Sequence, residues 1–373
     1  IRDSKGIRRI VVGDKDFYGL ARKTNPRFEG IISENDIIST LLEIRSSYEE
    51  ANILVVRNTV KRAIETFERL NKEGFKPLLL HGRMTVGSRE EVLRRIKSKP
   101  PGTFLIATQI IEAGVDIDFD VLISDATVLT SLIQRVGRVG RKEVRDLPFK
   151  IFVVEGEGDG VYSKSQVKST LNMLREIKSR DKEIGWRVST RNMVYDGFIS
   201  YKWMLEKLYG ESIHYPIDKT LLRSLHDIDQ YFVDVEVREL QNQLCSFVRS
   251  EGLIAVAVKP KVMEFSNAHE ALKEAYRSML ALSFDLLRKR WEEIVKIEDE
   301  EAMVLCLDKT FLTIKPSNDV YRVLKELSSE VPCRLLNALE SAVRKLRDEA
   351  RLIPLAIMLN EDLYDPEVGL KIG

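Results

Sequence analysis

Cysteine is scarce. The three in 373 residues, Cys245, Cys306 and Cys333, lie far apart and are odd in number. They have neither metal-ligand spacing nor the density of a disulfide framework, so a reducing interior is expected. No apolar run reaches the roughly 18 residues of a membrane span, and no signal peptide opens the chain. Neither sign of charge is in excess: 59 Lys and Arg against 58 Asp and Glu leave +1. No global field draws the protein to polyanions, and nucleic-acid binding has to come from local basic patches. The dipeptide Gly-Lys does not occur. That removes the G-x-x-x-x-G-K-[ST] loop whose backbone cradles nucleotide phosphates. Six glutamines beside 31% charged residues match the balance of heat-adapted proteins. Residue 1 is Ile rather than Met, so a processed chain or a piece of a longer one is expected.

What is present begins with an apolar fraction of 44%, enough for a real core, and a length that allows two domains or three small ones. The first half alternates strands and helices. "ANILVVRN" (51–58) is an apolar run ending in a turn. "TVKRAIETFERLNKEG" (59–74) puts Val60, Ala63, Ile64, Phe67 and Leu70 on one helical face, with Thr59 to cap it and Gly74 to stop it. "PLLLHG" (77–82) is a second strand. "SREEVLRRIKS" (88–98) is a helix in which Ser88 and Glu91 make a capping box. "TFLIAT" (103–108), "DVLIS" (120–124) and "FKIFVVE" (149–155) are further buried strands, and "TSLIQRVGR" (130–138) is a helix between the last two. Apolar strands separated by amphipathic helices predict a parallel sheet covered on both faces.

Ligands on such sheets sit at the carboxyl ends of the strands. The polar residues there are Arg57, Asn58 and Thr59, then His81, Gly82 and Arg83, then Thr108 and Gln109. A fourth polar group, "QRVGRVGR" (134–141), sets arginines at 135, 138 and 141 with glycines at 137 and 140. Glycine inside a helix costs about 1 kcal/mol and calls for a reason.

"NTV" after the first of these strands, "HGRM" after the second, "ATQIIEAGVDID" (107–118) after the third, and "QRVGRVGR" resemble motifs IV, IVa, V and VI of superfamily 2 helicases. Order and spacing agree over about residues 28–155. The resemblance implies a second RecA-like domain, an α/β parallel sheet with helices on both faces. The wording of 107–141 is most similar to the CRISPR-associated helicase of type I systems, whose motor pulls single-stranded DNA and feeds a metal-dependent HD nuclease in antiviral defence.

That resemblance assigns roles. Phosphoryl transfer spreads negative charge over the γ-phosphate oxygens, and guanidinium groups supplied across a domain cleft stabilise it. Arg138 and Arg141 are then the arginine fingers, Gln134 bonds near the γ-phosphate or the attacking water, and Arg135 is a supporting charge. Gly137 and Gly140 let phosphates and the opposing domain approach. Asp116 links the nucleotide to the nucleic-acid side, and Gly114 permits its tight turn. Arg57, Asn58, Thr59, His81, Gly82, Arg83, Thr108 and Gln109 contact a strand's sugar–phosphate backbone. Plainer readings stand beside these: a basic, solvated helix end for motif VI, a loop cap for His81, and caps or surface charges for Glu112 and Asp118. ATP and Mg2+ are implied as substrate and counter-ion, bound mainly by a P-loop RecA-like domain upstream or in another subunit. "RDEAR" (347–351) and "EDEEA" (298–302) do not follow apolar strands and are not taken as its acidic box. This chain alone is expected not to hydrolyse ATP at a meaningful rate.

The second half carries less chemistry. "SKSQVKSTLNMLREIKS" (163–179) and the aromatic-rich "YDGFISYKWMLEKLYG" (195–210) read as helices. "VDVEVREL" (233–240), "LIAVAVKPKVMEF" (253–265) and "FLTIK" (311–315) read as strands, and 269–296 and 333–352 as long helices. The expected organisation is a RecA-like domain over 1–158, a helical linker over 159–199 and a mixed α+β accessory domain over 200–373. In the family such domains close over the strand and mediate docking. His214, His226–Asp227 and His269 form no convincing HD metal set, so no metal site is expected. The nuclease and a CRISPR effector complex are implied as partners, in a cytoplasmic location without membrane contact. Two readings of different class remain: half of an ATP-driven translocase, from this or another superfamily 2 group, or a free-standing nucleic-acid or partner-binding module.

Overall fold

The computed structural model describes residues 24–98, 101–112, 117–141, 149–189, 192–195, 197–210, 253–326, 341, 344–345, 347–348 and 351–372. They form two compact units. Described residues 24–80 and 95–210 make the first, and 81–94 with those from 253 onward make the second.

The first unit is built on a six-stranded parallel sheet. Its elements are β1 (Arg27–Ile32), α1 (Asp36–Ser47), β2 (Ile53–Val56), α2 (Val60–Lys72), β3 (Leu78–Leu80), the end of α3 (Val86–Lys97), β4 (Phe104–Ala107), a 3-10 turn (Gln109–Glu112), β5 (Val121–Asp125), α4 (Leu129–Val136) and β6 (Lys150–Val154). The order is β1-β6-β5-β2-β4-β3, every pair parallel. The inner strands β2, β4 and β5 are buried along their whole length. This is why they read as continuous apolar runs and not as alternating ones. Burying each of Leu54, Ile106 and Leu122 contributes about 1.5–3 kcal/mol. Thr59 caps α2, its Oγ1 accepting from the Arg62 N–H at 3.3 Å, and Gly74 takes φ +82 at the stop.

Two helix expectations in this half change. α3 begins at Val86, so Ser88 lies inside it. The cap is Thr85, whose Oγ1 accepts from the Ser88 N–H at 3.2 Å, and no Ser88–Glu91 capping box forms. The motif VI helix stops at Val136 with Gly137 as its C-cap, so Arg138 lies beyond it.

The unit continues through α5 (Lys164–Ser179), β7 (Glu183–Gly185), β8 (Val194–Tyr195), β9 (Phe198–Ser200) and α6 (Tyr201–Tyr209). The helix expected over 195–210 starts six residues late. Gly197 has φ +86, and β9 pairs with β7 and β8.

The second unit holds β10 (Leu253–Ala257), α7 (Ala268–Arg277), β11 (Met279–Ser283), α8 (Phe284–Ile294), β12 (Ile297–Glu298), β13 (Glu301–Asp308), β14 (Phe311–Ser317), α9 (Asn318–Glu326), β15 (Ile353–Met358), β16 (Tyr364–Asp365) and β17 (Gly369–Leu370). Strands β10 and β15 are parallel and the other pairs antiparallel, giving a mixed α+β fold. Alternate residues of β13 face opposite cores. Ala302, Val304 and Cys306 pack with Phe284, Leu287, Val320 and Leu324. Met303, Leu305 and Leu307 pack with Ala271 and Ala275. The single helix expected over 269–296 is two helices around β11. Pairing with β10 overrides the helical pattern, and Ser283 caps α8 by accepting from the Leu286 N–H at 3.3 Å. The strand expected over 253–265 ends at Ala257, and the one at 311–315 runs on to Ser317. "EDEEA" is the hairpin between β12 and β13, with Asp299 and Glu300 at positive φ. The expectations for 225–229, 233–240 and most of 333–352, with His214, Cys245 and Cys333, lie outside the described residues.

Candidate functional site

Strand β2 lies between β4 and β5, so its carboxyl end stands between theirs. Asn58, just past β2, ties these ends together. Its N–H donates to Asp125 Oδ2 (2.8 Å), and its Nδ2 donates to the Ala126 carbonyl (2.8 Å) and Asp159 Oδ2 (3.0 Å). Its carbonyl accepts from Gln109 Nε2 at 2.7 Å and its Oδ1 from Arg135 at 3.1 Å.

Arg135 is fully buried. Its five N–H groups reach Glu112 Oε1 (2.8 Å), Ser124 Oγ (2.9 Å), the Asp125 carbonyl (3.3 Å), Asn58 Oδ1 (3.1 Å) and Tyr162 OH (3.1 Å). The guanidinium also stands 5.9 Å over the Tyr162 ring. A planar fork so engaged is a fixed part of the interior.

Beside this hub lies a charged cluster. Arg57, 1% exposed, donates to both oxygens of Glu34 (2.8 and 2.7 Å), and its Nε is 3.3 Å from Asp125. Arg62 donates to both oxygens of Asp159 at 2.6 Å and to Glu34. Burial pushes the Asp125 carboxyl up, even with Arg57 and Arg62 beside it. Burial acts the same way on Glu34, but there the two arginines outweigh it and hold the carboxyl below its ordinary range.

Past Gly137 the chain is clamped along 117–120. Val139 makes a parallel bridge to Phe119, the Phe119 N–H donates to the Arg138 carbonyl (2.9 Å), and the Gly140 N–H donates to the Phe119 carbonyl (2.9 Å). The Arg141 N–H donates to Asp118 Oδ1 at 2.7 Å, and the Arg138 guanidinium donates to the Glu112 carbonyl at 2.6 Å. Gln134 and Arg141 are exposed and Arg138 half-buried. Neither Arg138 nor Arg141 is on the helix, so the three-residue spacing reflects a helix end followed by a turn with one isolated bridge. Gly140 is buried at φ +61, and a Cβ there would stand 2.9 Å from the Thr24 carbonyl and 3.0 Å from the Phe149 ring. Packing within this unit therefore requires a glycine at this position. Glu112 and Asp118 are likewise anchors of motif VI rather than surface charges.

The sheet edge thus brings Arg57, Asn58, Thr59, Thr108, Gln109 and Arg135 into one region of the first unit. Arg57, Asn58 and Thr108 are buried, while Thr59 and Gln109 are half-buried. Gly114 and Asp116 lie outside the described residues.

His81, Gly82 and Arg83 belong to the second unit. His81 is fully buried. Its Nε2 bonds the Val368 carbonyl at 2.8 Å and its Nδ1 accepts from the Arg83 N–H at 3.1 Å. That network assigns the neutral Nε2–H tautomer. Burial, together with Arg83 and Arg89, brings the imidazole down to about 4. Arg83 is half-buried and donates to the Ile372 carbonyl at 3.0 Å, and Gly82 is exposed. Among the described residues no group of three or more His, Cys, Asp and Glu could hold a metal ion, and no helix is long and apolar enough to cross a membrane.

Several residues of this region were not singled out by sequence. Asp125 closes an apolar strand at the same edge as Asn58, a position that could have marked it. Glu34, Arg62, Asp159 and Tyr162 carry no local signal, because their partners are distant in sequence.

Comparison with known proteins bears on these motifs. Residues 49–144 match the family described as CRISPR-associated nuclease/helicase Cas3, C-terminal. A CRISPR-associated nuclease/helicase Cas3 of Methanothermobacter thermautotrophicus is 25% identical over 82% of this chain and 34% of its own length. A CRISPR-associated endonuclease/helicase Cas3 of Escherichia coli is 31% identical over 34% of this chain and 17% of its own. The crystal structure of T. fusca Cas3 aligns with a TM-score of 0.49 and 16% identity, over 73% of this chain and 38% of that one. The chain spans about a third of the length of the M. thermautotrophicus relative. The motifs on the parallel sheet, the family match across them and a relative aligned along most of the chain agree: the chain is similar to the C-terminal part of the CRISPR-associated Cas3-like helicases.

Proposed function

We propose that this chain is the C-terminal half of an ATP-driven superfamily 2 translocase of the CRISPR type I kind, acting on single-stranded DNA in antiviral defence. Arg138 and Arg141 are its arginine fingers. One observation carries the reading. Motif VI divides into an interior arginine, Arg135, with every donor engaged, and a bridged segment that holds Arg138 and the exposed Arg141 at fixed positions beside exposed Gln134.

In this reading ATP, with Mg2+, is bound mainly by a P-loop RecA-like domain in the same polypeptide or another subunit. Arg138 and Arg141 stabilise charge developing on the transferred phosphoryl group, and Gln134 orients the attacking water. Arg135 acts from the interior by positioning. Gly114 and Asp116 couple nucleotide to strand. Thr59, Gln109, Gly82 and Arg83 contact the sugar–phosphate backbone, and buried Arg57, Asn58, Thr108 and His81 position them. The chain is organised as a helicase domain over 1–158, a linker over 159–199 and an accessory domain over 200–373. An HD nuclease and a CRISPR effector complex are its partners, in the cytoplasm, and the chain alone does not turn over ATP.

The test is ATP turnover by the native full-length protein, with and without single-stranded DNA. Arg138→Ala and Arg141→Ala should each cut the stimulated rate by roughly a thousandfold or more. Turnover that survives both substitutions refutes the finger assignment. Strand binding with no nucleotide dependence at all supports a binding module instead.

A further inference from the structure

We propose that Arg187 is a positioning residue that sets the geometry of the arginine-bearing segment 138–141. The inference rests on Arg138 and Arg141 acting as arginine fingers.

Arg187 follows β7, 46 residues beyond Arg141 in sequence, and is half-buried. One guanidinium nitrogen donates to two consecutive carbonyls of motif VI, Val139 at 2.6 Å and Gly140 at 2.7 Å. The other donates to the carbonyl and hydroxyl of Thr24. Thr24 is also where a Cβ on Gly140 would collide, so Arg187, Thr24 and Gly140 form one packed contact. The turn carrying Arg187 is itself anchored. Asn25 accepts from the Trp186 N–H at 3.0 Å and donates to the Ile184 carbonyl at 2.9 Å.

The segment is therefore held from two directions. Residues 118–119 grip it by backbone bridging and by the Asp118 carboxylate on the Arg141 N–H. Arg187 grips the carbonyls between the two proposed fingers. Asp118 also acts on the Arg187 guanidinium electrostatically, opposing the effect of its burial. Hydrogen bonds from a charged donor are about twice as strong as neutral ones, and an arginine fork imposes direction as well. A finger contributes only when its guanidinium stands where transition-state charge develops, and a shift of about 1 Å can cost roughly a hundredfold in rate. Arg187 itself touches neither nucleotide nor strand in this account.

The experiment uses the native full-length protein with Arg187→Gln and Arg187→Lys, alongside Arg138→Ala and Arg141→Ala. DNA-stimulated ATP turnover, thermal unfolding and amide exchange across 138–141 are measured. The expected result for Arg187→Gln is a kcat lower by about tenfold to a hundredfold, with KM for ATP within about twofold, and faster exchange at Val139–Arg141. Arg187→Lys keeps the charge beside Asp118 but loses the fork, and should fall between. If Arg187→Gln does not fold, Arg187→Lys decides the matter, and a wild-type kcat overturns the proposal. Wild-type kcat in both Arg187 variants, with turnover abolished in the finger variants, overturns the positioning role and leaves the fingers standing. Unchanged turnover in the finger variants overturns both. A kcat loss no larger than the loss of folded protein also overturns it, since a merely structural contact predicts that.

Discussion

Arg135 donates to the side-chain oxygen of Asn58 at 3.1 Å across 77 residues of sequence. This bond joins the residue after the first motif strand to the helix of the last motif. It makes Asn58 a junction for β2, β5 and the 3-10 turn at once. The two motifs are thus joined directly by a buried hydrogen bond.

Arg135→Lys should expose how much that body depends on the fork. Lysine keeps the charge but has three donors for five acceptors, and leaves buried oxygens unsatisfied. A loss of about 3 kcal/mol in denaturant unfolding is expected. A loss under about 0.5 kcal/mol, the usual surface value, would show that the network is not cooperative.

His81 should impose a pH dependence on the second unit. Its ring titrates near 6.5 when unfolded and at about 4 when folded, so between these values the unfolded chain binds more protons. Stability is fully present above pH 6.5 and is lost as pH falls towards 4. A protonated Nδ1 would also face the Arg83 N–H it now accepts from. The contribution is on the order of 3 kcal/mol. His81→Asn should remove that slope when unfolding is followed across the window. An unchanged slope would assign it to other groups.

Gly140→Ala places a methyl where φ is +61 and the Thr24 carbonyl is 2.9 Å away. Backbone strain and overlap act together, and a loss of roughly 1–3 kcal/mol is expected in thermal or denaturant unfolding. Gly74→Ala, at φ +82 with nothing within 4 Å, lacks the overlap and should cost less.

Thr85→Ala should destabilise the start of α3 by about 1 kcal/mol, because it removes the acceptor for the Ser88 N–H. Glu91→Ala should cost little, since Glu91 pairs with Arg94 on the surface. The reverse ranking in unfolding experiments would restore a cap at Ser88.

The sheet was legible because its strands are buried on both faces, which leaves unbroken apolar runs such as "ILVV" and "FLIA" between amphipathic helices. Motif positions at the strand ends were legible for the same reason. Helix 269–296 was misread because "MLALS" is compatible with either period, and only a partner strand decides between them. The helix expected over 130–138 stops two residues earlier, at Val136, because residue spacing says nothing about where a helix ends.

Sequence alone thus determined the fold class of the first half and the presence of Arg57, Asn58, Thr59, Thr108 and Gln109 at its edge, since both follow from local hydrophobic pattern. Tertiary structure decided which of them face solvent. Arg135 and Arg138 differ by three positions and share a residue type, yet one is sealed inside and the other is half-buried in the turn that follows the helix. The reason is that burial of a charge depends on the number of acceptors brought to it. The acceptors for Arg135 come from residues 58, 112, 124, 125 and 162, and only the folded chain assembles them.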